Sequence, residues 1–228
     1  LAWLQDVGYT QRYGPDIAHD GTSPERADYR QVVLPFRLRE AINRLNPGIP
    51  VAAREDAIKQ VTDLGIPSLL SANRAFHKLL VGGVPVQYQK DGETRGDFVR
   101  LIDWAHPERN TFTVVNQYRV DCPPGYTRGK AFIVPDLVLL VNGIPLVVIE
   151  CKSPSVPEPL AEAVDQLRRY SNQRKVAFEV EDNEGNEALF ASVQLLVASC
   201  FDKARVGCIG AGLAHYAQWK PVVGPDGQ

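Results

Sequence analysis

Apolar residues recur at helical spacing in the first third of the chain and at strand spacing beyond it. The opening run Leu1-Ala2-Trp3-Leu4-Gln5-Asp6-Val7 reads as a helix that Gly8 ends, and residues 14–24, rich in Gly, Pro and Asp, read as an exposed loop. A helix is expected over 36–45, where the apolar positions Phe36, Leu38, Ala41, Ile42 and Leu45 fall near helical spacing and Asn46-Pro47-Gly48 stops the run. A second carries Ala53, Ala57, Ile58 and Val61 on one stripe, and a third covers 71–80. From Val84 the period shortens. Strands are expected over 84–89, 98–104 and 112–120, with a turn at Asp91-Gly92.

The most apolar stretch follows, from Phe132 to Val141 and, after Asn142-Gly143, from Ile144 to Lys152. Asn-Gly between two β-branched runs is a strong hairpin signal, because both central residues of a type I′ turn need positive φ. Two antiparallel central strands are therefore expected here. Residues 153–157 form a loop, and 160–174 an amphipathic helix with Leu160, Ala163, Val164 and Leu167 on its buried stripe. A loop at 181–186 leads to a buried strand over 189–199 and a short strand near 206–209. Helices first, then a meander, then alternating strand and helix imply an α/β (α+β) single domain with a mixed central sheet flanked by helices.

The chain has 228 residues, 44% hydrophobic and 23% charged, enough to bury one core. No apolar run reaches the roughly 18 residues of a membrane span, so no membrane role is expected. The net charge of -2 excludes holding DNA by a global basic field; any such contact must be a local patch. Cys122, Cys151, Cys200 and Cys208 have no zinc-like spacing, and no signal peptide is seen, so a reducing cytoplasm is expected. His19, His77, His106 and His215 are scattered and read as structural or solvated. No methionine occurs and the chain opens inside a helix, which suggests a fragment of a longer protein.

Three charges stand where charge is costly: Asp136 in the first apolar run, and Glu150 and Lys152 at the end of the second. Glu150 and Lys152 share a strand face about 7 Å apart. Asp136 and Glu150 are nearly equidistant from the turn, so the hairpin sets them opposite one another or within a residue of it. Two neighbouring carboxylates repel, and a hard divalent cation relieves that by taking both as oxygen ligands. Mg²⁺ is the natural candidate. A carboxylate pair beside a lysine describes a site for cutting a phosphodiester, with Lys152 orienting or helping to deprotonate water. An ordinary salt bridge at a strand end would use the same residues. Against that, Glu150-Cys151-Lys152 is the only acidic-x-Lys in a chain with eight lysines, and it follows Pro135-Asp136 at hairpin distance.

This pattern resembles the PD-(D/E)xK nuclease superfamily. Gln166 and Tyr170, four residues apart on the next helix, make the resemblance more specific. With Val141-Asn142-Gly143-Ile144-Pro145-Leu146, Asn73-Arg74-Ala75-Phe76-His77, Ile102-Asp103-Trp104, Asn116-Gln117 and Trp219-Lys220, the chain resembles the amino-terminal nuclease domain of the restriction (R) subunit of type I restriction-modification enzymes, over most of its length.

The resemblance implies a restriction-endonuclease-like domain over 1–220, with 221–228 beginning a linker toward a motor region. It implies Asp136 and Glu150 as Mg²⁺ ligands together with the backbone carbonyl of Cys151, Lys152 as the catalytic lysine, and Gln166 and Tyr170 as residues that position the DNA backbone or the site itself. An acidic residue of the first helix often completes such sites; it would lie upstream of Leu1, with Glu55 as a fallback. Arg128, Lys130, Arg168, Arg169, Arg174 and Lys175 cluster around the site in sequence and read either as a solvated face or as the local phosphate-binding patch. No Walker loop or base-reading motif occurs, so ATP would be bound only by the motor region. The implied activity is Mg²⁺-dependent cleavage of duplex DNA without intrinsic sequence preference, fed by ATP-driven translocation and directed by modification and specificity subunits. A repair or junction nuclease of the same superfamily, or a catalytically silent docking module for DNA or subunits, are the alternatives.

Overall fold

The structure, a computed structural model, describes residues 1–124, 131–174, 184–201 and 203–219. Along the chain run α1 (Ala2–Asp6), β1 (Thr10–Tyr13), α2 (Pro35–Leu45), α3 (Val51–Thr62), α4 (Leu69–Gly82), β2 (Val84–Lys90), β3 (Glu93–Val99), β4 (Phe112–Asn116), β5 (Val120–Asp121), β6 (Phe132–Ile133), β7 (Leu137–Val141), β8 (Ile144–Cys151), α5 (Pro159–Tyr170), α6 (Glu187–Ser192), β9 (Leu195–Cys200), β10 (Lys203–Gly207) and β11 (Ala217–Gln218). Seven strands form one mixed sheet in the order β1-β4-β7-β8-β9-β10-β11. β1 lies parallel to β4 and β8 parallel to β9; the remaining pairs are antiparallel. Joining the parallel strands β8 and β9 requires a crossover, and α5 and α6 supply it. The domain is thus mixed α/β and restriction-endonuclease-like, as the sequence implies.

Strands β7 and β8 are central and paired on both sides, which is why their sequences are almost wholly apolar. Val138, Leu140 and Val148 point to one face and pack with Val164 and Leu167 of α5 and with Leu189 and Phe190 of α6. Burying each such side chain contributes about 1.5–3 kcal/mol. Leu137, Leu139, Val147 and Ile149 point to the other face, where Leu4 of α1 packs. Helices α2, α3 and α4 form a second core with the turn end of the hairpin, around Leu38, Ile42, Phe76, Val141 and Ile144.

The Asn142-Gly143 turn has φ of 53° and 82°, as the hairpin requires. It is no solvent-exposed tip. Asn142 is fully buried, donating Nδ2 to Leu101 O at 2.8 Å and to Asn110 Oδ1 at 2.9 Å, and accepting from the Thr111 N–H at 2.9 Å. Gly143 is packed so closely that a Cβ would meet Leu34 O at 2.6 Å. The Asn73 segment is structural too: Asn73 Nδ2 donates to Val193 O at 2.6 Å, and His77 Nδ1 lies 2.8 Å from Gln194 Oε1, tying α4 to the α6–β9 connection.

Several elements differ from the pattern reading. The apolar run 189–199 divides: Glu187–Ser192 is helical, started by Asn186, whose Oδ1 accepts the Ala188 N–H at 2.8 Å, and only Leu195–Cys200 is strand. The strand expected over 98–104 is Glu93–Val99, and it pairs with β2 in a separate two-stranded sheet. β4 stops at Asn116, because Gln117 adopts a φ of 58°, and the chain resumes as β5 against β6. α5 ends at Tyr170 rather than 174, and β10 spans Lys203–Gly207 rather than 206–209. The loop after β1 is not all exposed, since Ile17 and Ala18 are buried. β1 itself was not expected: its polar sequence, largely exposed at the sheet edge, has no apolar alternation.

Candidate active site

Strands β7 and β8 deliver the acidic pair. Their register runs Val141↔Ile144 and Leu140↔Pro145, then shifts, so that Leu139 pairs with Val147 and Leu137 with Ile149. One step further along this ladder Asp136 stands opposite Glu150. The backbone supports it there: Cys151 N–H donates to Asp136 Oδ2 at 2.8 Å, and Gln117 N–H donates to the Asp136 carbonyl at 3.1 Å.

Helix α5 covers this patch with a side chain that binds two members of the site at once. Gln166 Oε1 accepts from Lys152 Nζ at 2.5 Å, while Gln166 Nε2 donates to Glu150 Oε1 and, at 2.7 Å, to Tyr170 Oη. Lysine only donates and a carboxylate only accepts, so the amide has one orientation that satisfies both. Tyr170 Oη in turn donates to Val134 O at 3.3 Å. Lys152 Nζ lies 3.6 Å from Glu150 Oε1 and 3.5 Å from Glu162 Oε1. Asp136, Glu150, Lys152, Gln166 and Tyr170 are therefore brought together. Gln166 sits at the centre of the site and Tyr170 is buried behind it.

The electrostatics are those of a strained anionic pocket. Glu150 is only 2% exposed. Burial first, and then the charge of Asp136, push its carboxyl up to about 7 against the opposing pull of Lys152. Its second oxygen, Oε2, is buried with no hydrogen-bond partner among the described residues. Burial and then the charge of Glu150 push the Tyr170 phenol up to about 12, so it stays neutral. Burial, followed by Asp136 and Glu150, pushes the Cys151 thiol up to about 11. A hard cation takes oxygen rather than thiol sulfur, which leaves the oxygen atoms of this residue and its neighbours as the donor set.

A hard divalent cation fits these residues: an unpartnered buried carboxylate oxygen and a second carboxylate beside it are the donors it takes. Among the described residues no group of three or more His, Cys, Asp and Glu side chains gathers to hold a metal, so the site offers two carboxylates and no third. Glu55 does not supply one. Its carboxylate is held by Arg39 at 2.7 and 3.0 Å on the α2–α3 pair, and among the described residues no hydrogen bond or ion pair joins it to Asp136, Glu150 or Lys152.

Of the expected basic patch, Arg128, Lys130 and Lys175 lie outside the described residues, as do Lys220 and the expected linker over 221–228. Arg174 is held by Asp165 at 3.0 Å and Glu184 at 2.8 Å. Arg168 donates to Gln173 O at 3.0 Å, and the Arg169 guanidinium lies 5.3 Å from the centre of the Tyr170 ring. Glu162 is the member of the site that the sequence reading missed. Its signal was available: it precedes Gln166 by four residues and so shares its helix face.

Residues 1–211 match the family of the type I restriction enzyme R protein N terminus. The chain belongs to that family. As an R-protein N terminus it is 37% identical over 223 residues to the type I restriction enzyme HindI endonuclease subunit of Haemophilus influenzae, which covers 97% of this chain and 20% of that protein. It is 31% identical over 160 residues to the putative type I restriction enzyme MjaIXP endonuclease subunit of Methanocaldococcus jannaschii, covering 70% of this chain and 15% of that protein. The chain thus spans no more than 20% of the length of these relatives. No described helix is long and apolar enough to cross a membrane.

Proposed function

We propose that this domain is the DNA-cleaving part of a type I restriction enzyme R subunit, a PD-(D/E)xK endonuclease that hydrolyses phosphodiesters of duplex DNA without sequence preference of its own. The observation that carries the reading is Gln166 bridging Lys152 and Glu150 beside Glu150 Oε2, which has no partner among the described residues. A buried carboxylate oxygen left without a partner costs roughly 1–3 kcal/mol or more, a cost that a bound cation would offset.

Asp136 and Glu150, with the carbonyl of Cys151, would hold Mg²⁺, which when bound polarises the scissile phosphate and lowers the pKa of water. Lys152 orients the attacking water and offsets charge growing on the phosphoryl oxygens. Gln166 fixes the ammonium relative to the carboxylate, and Tyr170 fixes Gln166 against the backbone of residue 134. Water adds to phosphorus, the P–O ester bond breaks, and the proton that the water gives up passes to solvent while the departing oxygen takes one up. Arg168 and Arg169, with the basic residues outside the described segments, are the proposed contacts to the DNA backbone. Translocation driven by ATP in the rest of the subunit, and site recognition by modification and specificity subunits in the cytoplasm, complete the proposed assembly. Relatives named as endonuclease subunits support this over a repair nuclease or a silent docking module.

The test is cleavage by the reassembled complex carrying Asp136→Ala or Lys152→Ala. Loss of cleavage with ATP hydrolysis and DNA binding retained is expected. Wild-type cleavage by both variants would support the docking module instead.

A further inference from the structure

We propose that Glu162 is a positioning residue that keeps Lys152 in place while Glu150 is engaged by a cation, an inference that rests on the nuclease reading above. An ammonium has three donors and no acceptor. Among the described residues Lys152 Nζ faces three acceptors: Gln166 Oε1 at 2.5 Å, Glu162 Oε1 at 3.5 Å and Glu150 Oε1 at 3.6 Å. Only two of these are charged, and they differ in kind. Glu150 is buried on β8, beside Asp136; Glu162 stands in the first turn of α5 with its side chain 53% exposed.

A divalent cation held by Asp136 and Glu150 would offset the charge of the pair, so the attraction that draws Lys152 toward Glu150 would be lost and the ammonium would be free to move away from it. Gln166 is neutral and is itself tied to Glu150, so it opposes that displacement weakly. Glu162 approaches Lys152 from the helix, away from the acidic pair, and retains its full charge. It shares a helix face with Gln166 and Tyr170, so one rigid element carries both contacts that reach the lysine from outside its own strand among the described residues. Loss of that support shifts the ammonium, and an ångström of misplacement can cost on the order of a hundredfold in rate.

The test is a Mg²⁺ titration of single-turnover DNA cleavage by the full-length subunit in its assembled complex, which yields a maximal rate and a half-saturating concentration. Glu162→Ala should lower the maximal rate by on the order of tenfold or more, with half-saturation within about twofold of wild type. Glu162→Asp should recover most of the rate and Glu162→Gln little of it; because an acidic side chain in the first turn also favours the helix, thermal midpoints of the three variants are measured alongside, and a loss of rate that follows the loss of midpoint overturns the proposal. An unchanged maximal rate for Glu162→Ala overturns the proposal, as does a loss that extra Mg²⁺ fully restores, since Glu162 would then act on the metal. Lys152→Ala is run alongside: if it too cuts at the wild-type rate, the nuclease reading itself fails, whereas a dead Lys152→Ala beside an active Glu162→Ala removes only the role of Glu162.

Discussion

Asp136 stands opposite Glu150 because β8 carries one more residue than β7 between the turn and the site. Counting outward from Asn142-Gly143 without interruption would pair Asp136 with Ile149, whose side chain points to the α1 face. The shift between the Leu140↔Pro145 and Leu139↔Val147 pairs inserts Leu146 as the extra residue and moves the partner on by one. A β-bulge therefore decides that both carboxylates share a face.

That juxtaposition makes the metal-free protein sensitive to pH. The carboxyl of Glu150, raised from its ordinary 4.5 to about 7, holds a proton in the folded state that the unfolded chain has already released. Stability contributed by this group is therefore present at acid pH and falls as pH rises from about 4.5 through 7, by roughly 3 kcal/mol at most. Replacing the carboxylate by an amide removes the penalty. Without metal at pH 8, Glu150→Gln should be more stable by about 1–3 kcal/mol, read as a rise in thermal midpoint of several degrees. An unchanged or lower midpoint counts against the burial and repulsion described here.

Divalent cation should reverse the trend. Binding requires the deprotonated pair, so Mg²⁺ should raise the thermal midpoint more at pH 8 than at pH 6. Asp136→Ala should abolish the increment at both values. A Mg²⁺ effect of equal size at the two pH values, or one retained by Asp136→Ala, would place the cation elsewhere.

Gln166 and Tyr170 should separate in their effects. Gln166→Ala frees Lys152 and leaves Glu150 without its bridge, so single-turnover cleavage should fall about a hundredfold. Tyr170→Phe removes one hydroxyl that accepts from Gln166 and donates to Val134 O, which should cost about 1 kcal/mol of stability and a smaller loss of rate. Equal losses for the two variants would mean that the phenol acts directly on the substrate.

The turn is a stability determinant. Asn142→Ala removes a buried side chain that makes hydrogen bonds to Leu101, Asn110 and Thr111 and sits at positive φ, so urea denaturation should show a loss of about 3 kcal/mol or more. Gly143→Ala should be at least as harmful, because the new Cβ has no room beside Leu34 O. Losses below about 1 kcal/mol would mean that the turn can relax.

Much of this was legible in the sequence and some was not, for physical reasons. The hairpin announced itself through Asn142-Gly143, which supplies the positive φ the turn needs; strand alternation put Glu150 and Lys152 on one face, and the hairpin brought Asp136 to within a residue of them. The bulge did not, since Leu146 is as apolar as its neighbours and nothing in its identity marks an extra residue. Helix α6 was hidden because Leu189, Phe190 and Ala191 run into the apolar β9; the Asn186-Glu187 start was the cue. Helical spacing put Gln166 and Tyr170 on one face, but that Gln166 would bridge both Lys152 and Glu150 depends on how α5 packs against β8. Arg174 looked available to DNA in sequence and is held by Asp165 and Glu184 in the fold.

The central claim is that the Asp136–Glu150 pair exists to cut DNA, and it is tested most directly by following DNA cleavage and ATP hydrolysis in one reaction with the reassembled complex carrying Glu150→Gln. This change removes one charge and keeps the side chain's size. Cleavage abolished while ATP hydrolysis continues at the wild-type rate is the predicted result; cleavage within about twofold of wild type would contradict the account, given that a lost metal ligand should cost several kcal/mol of transition-state stabilisation.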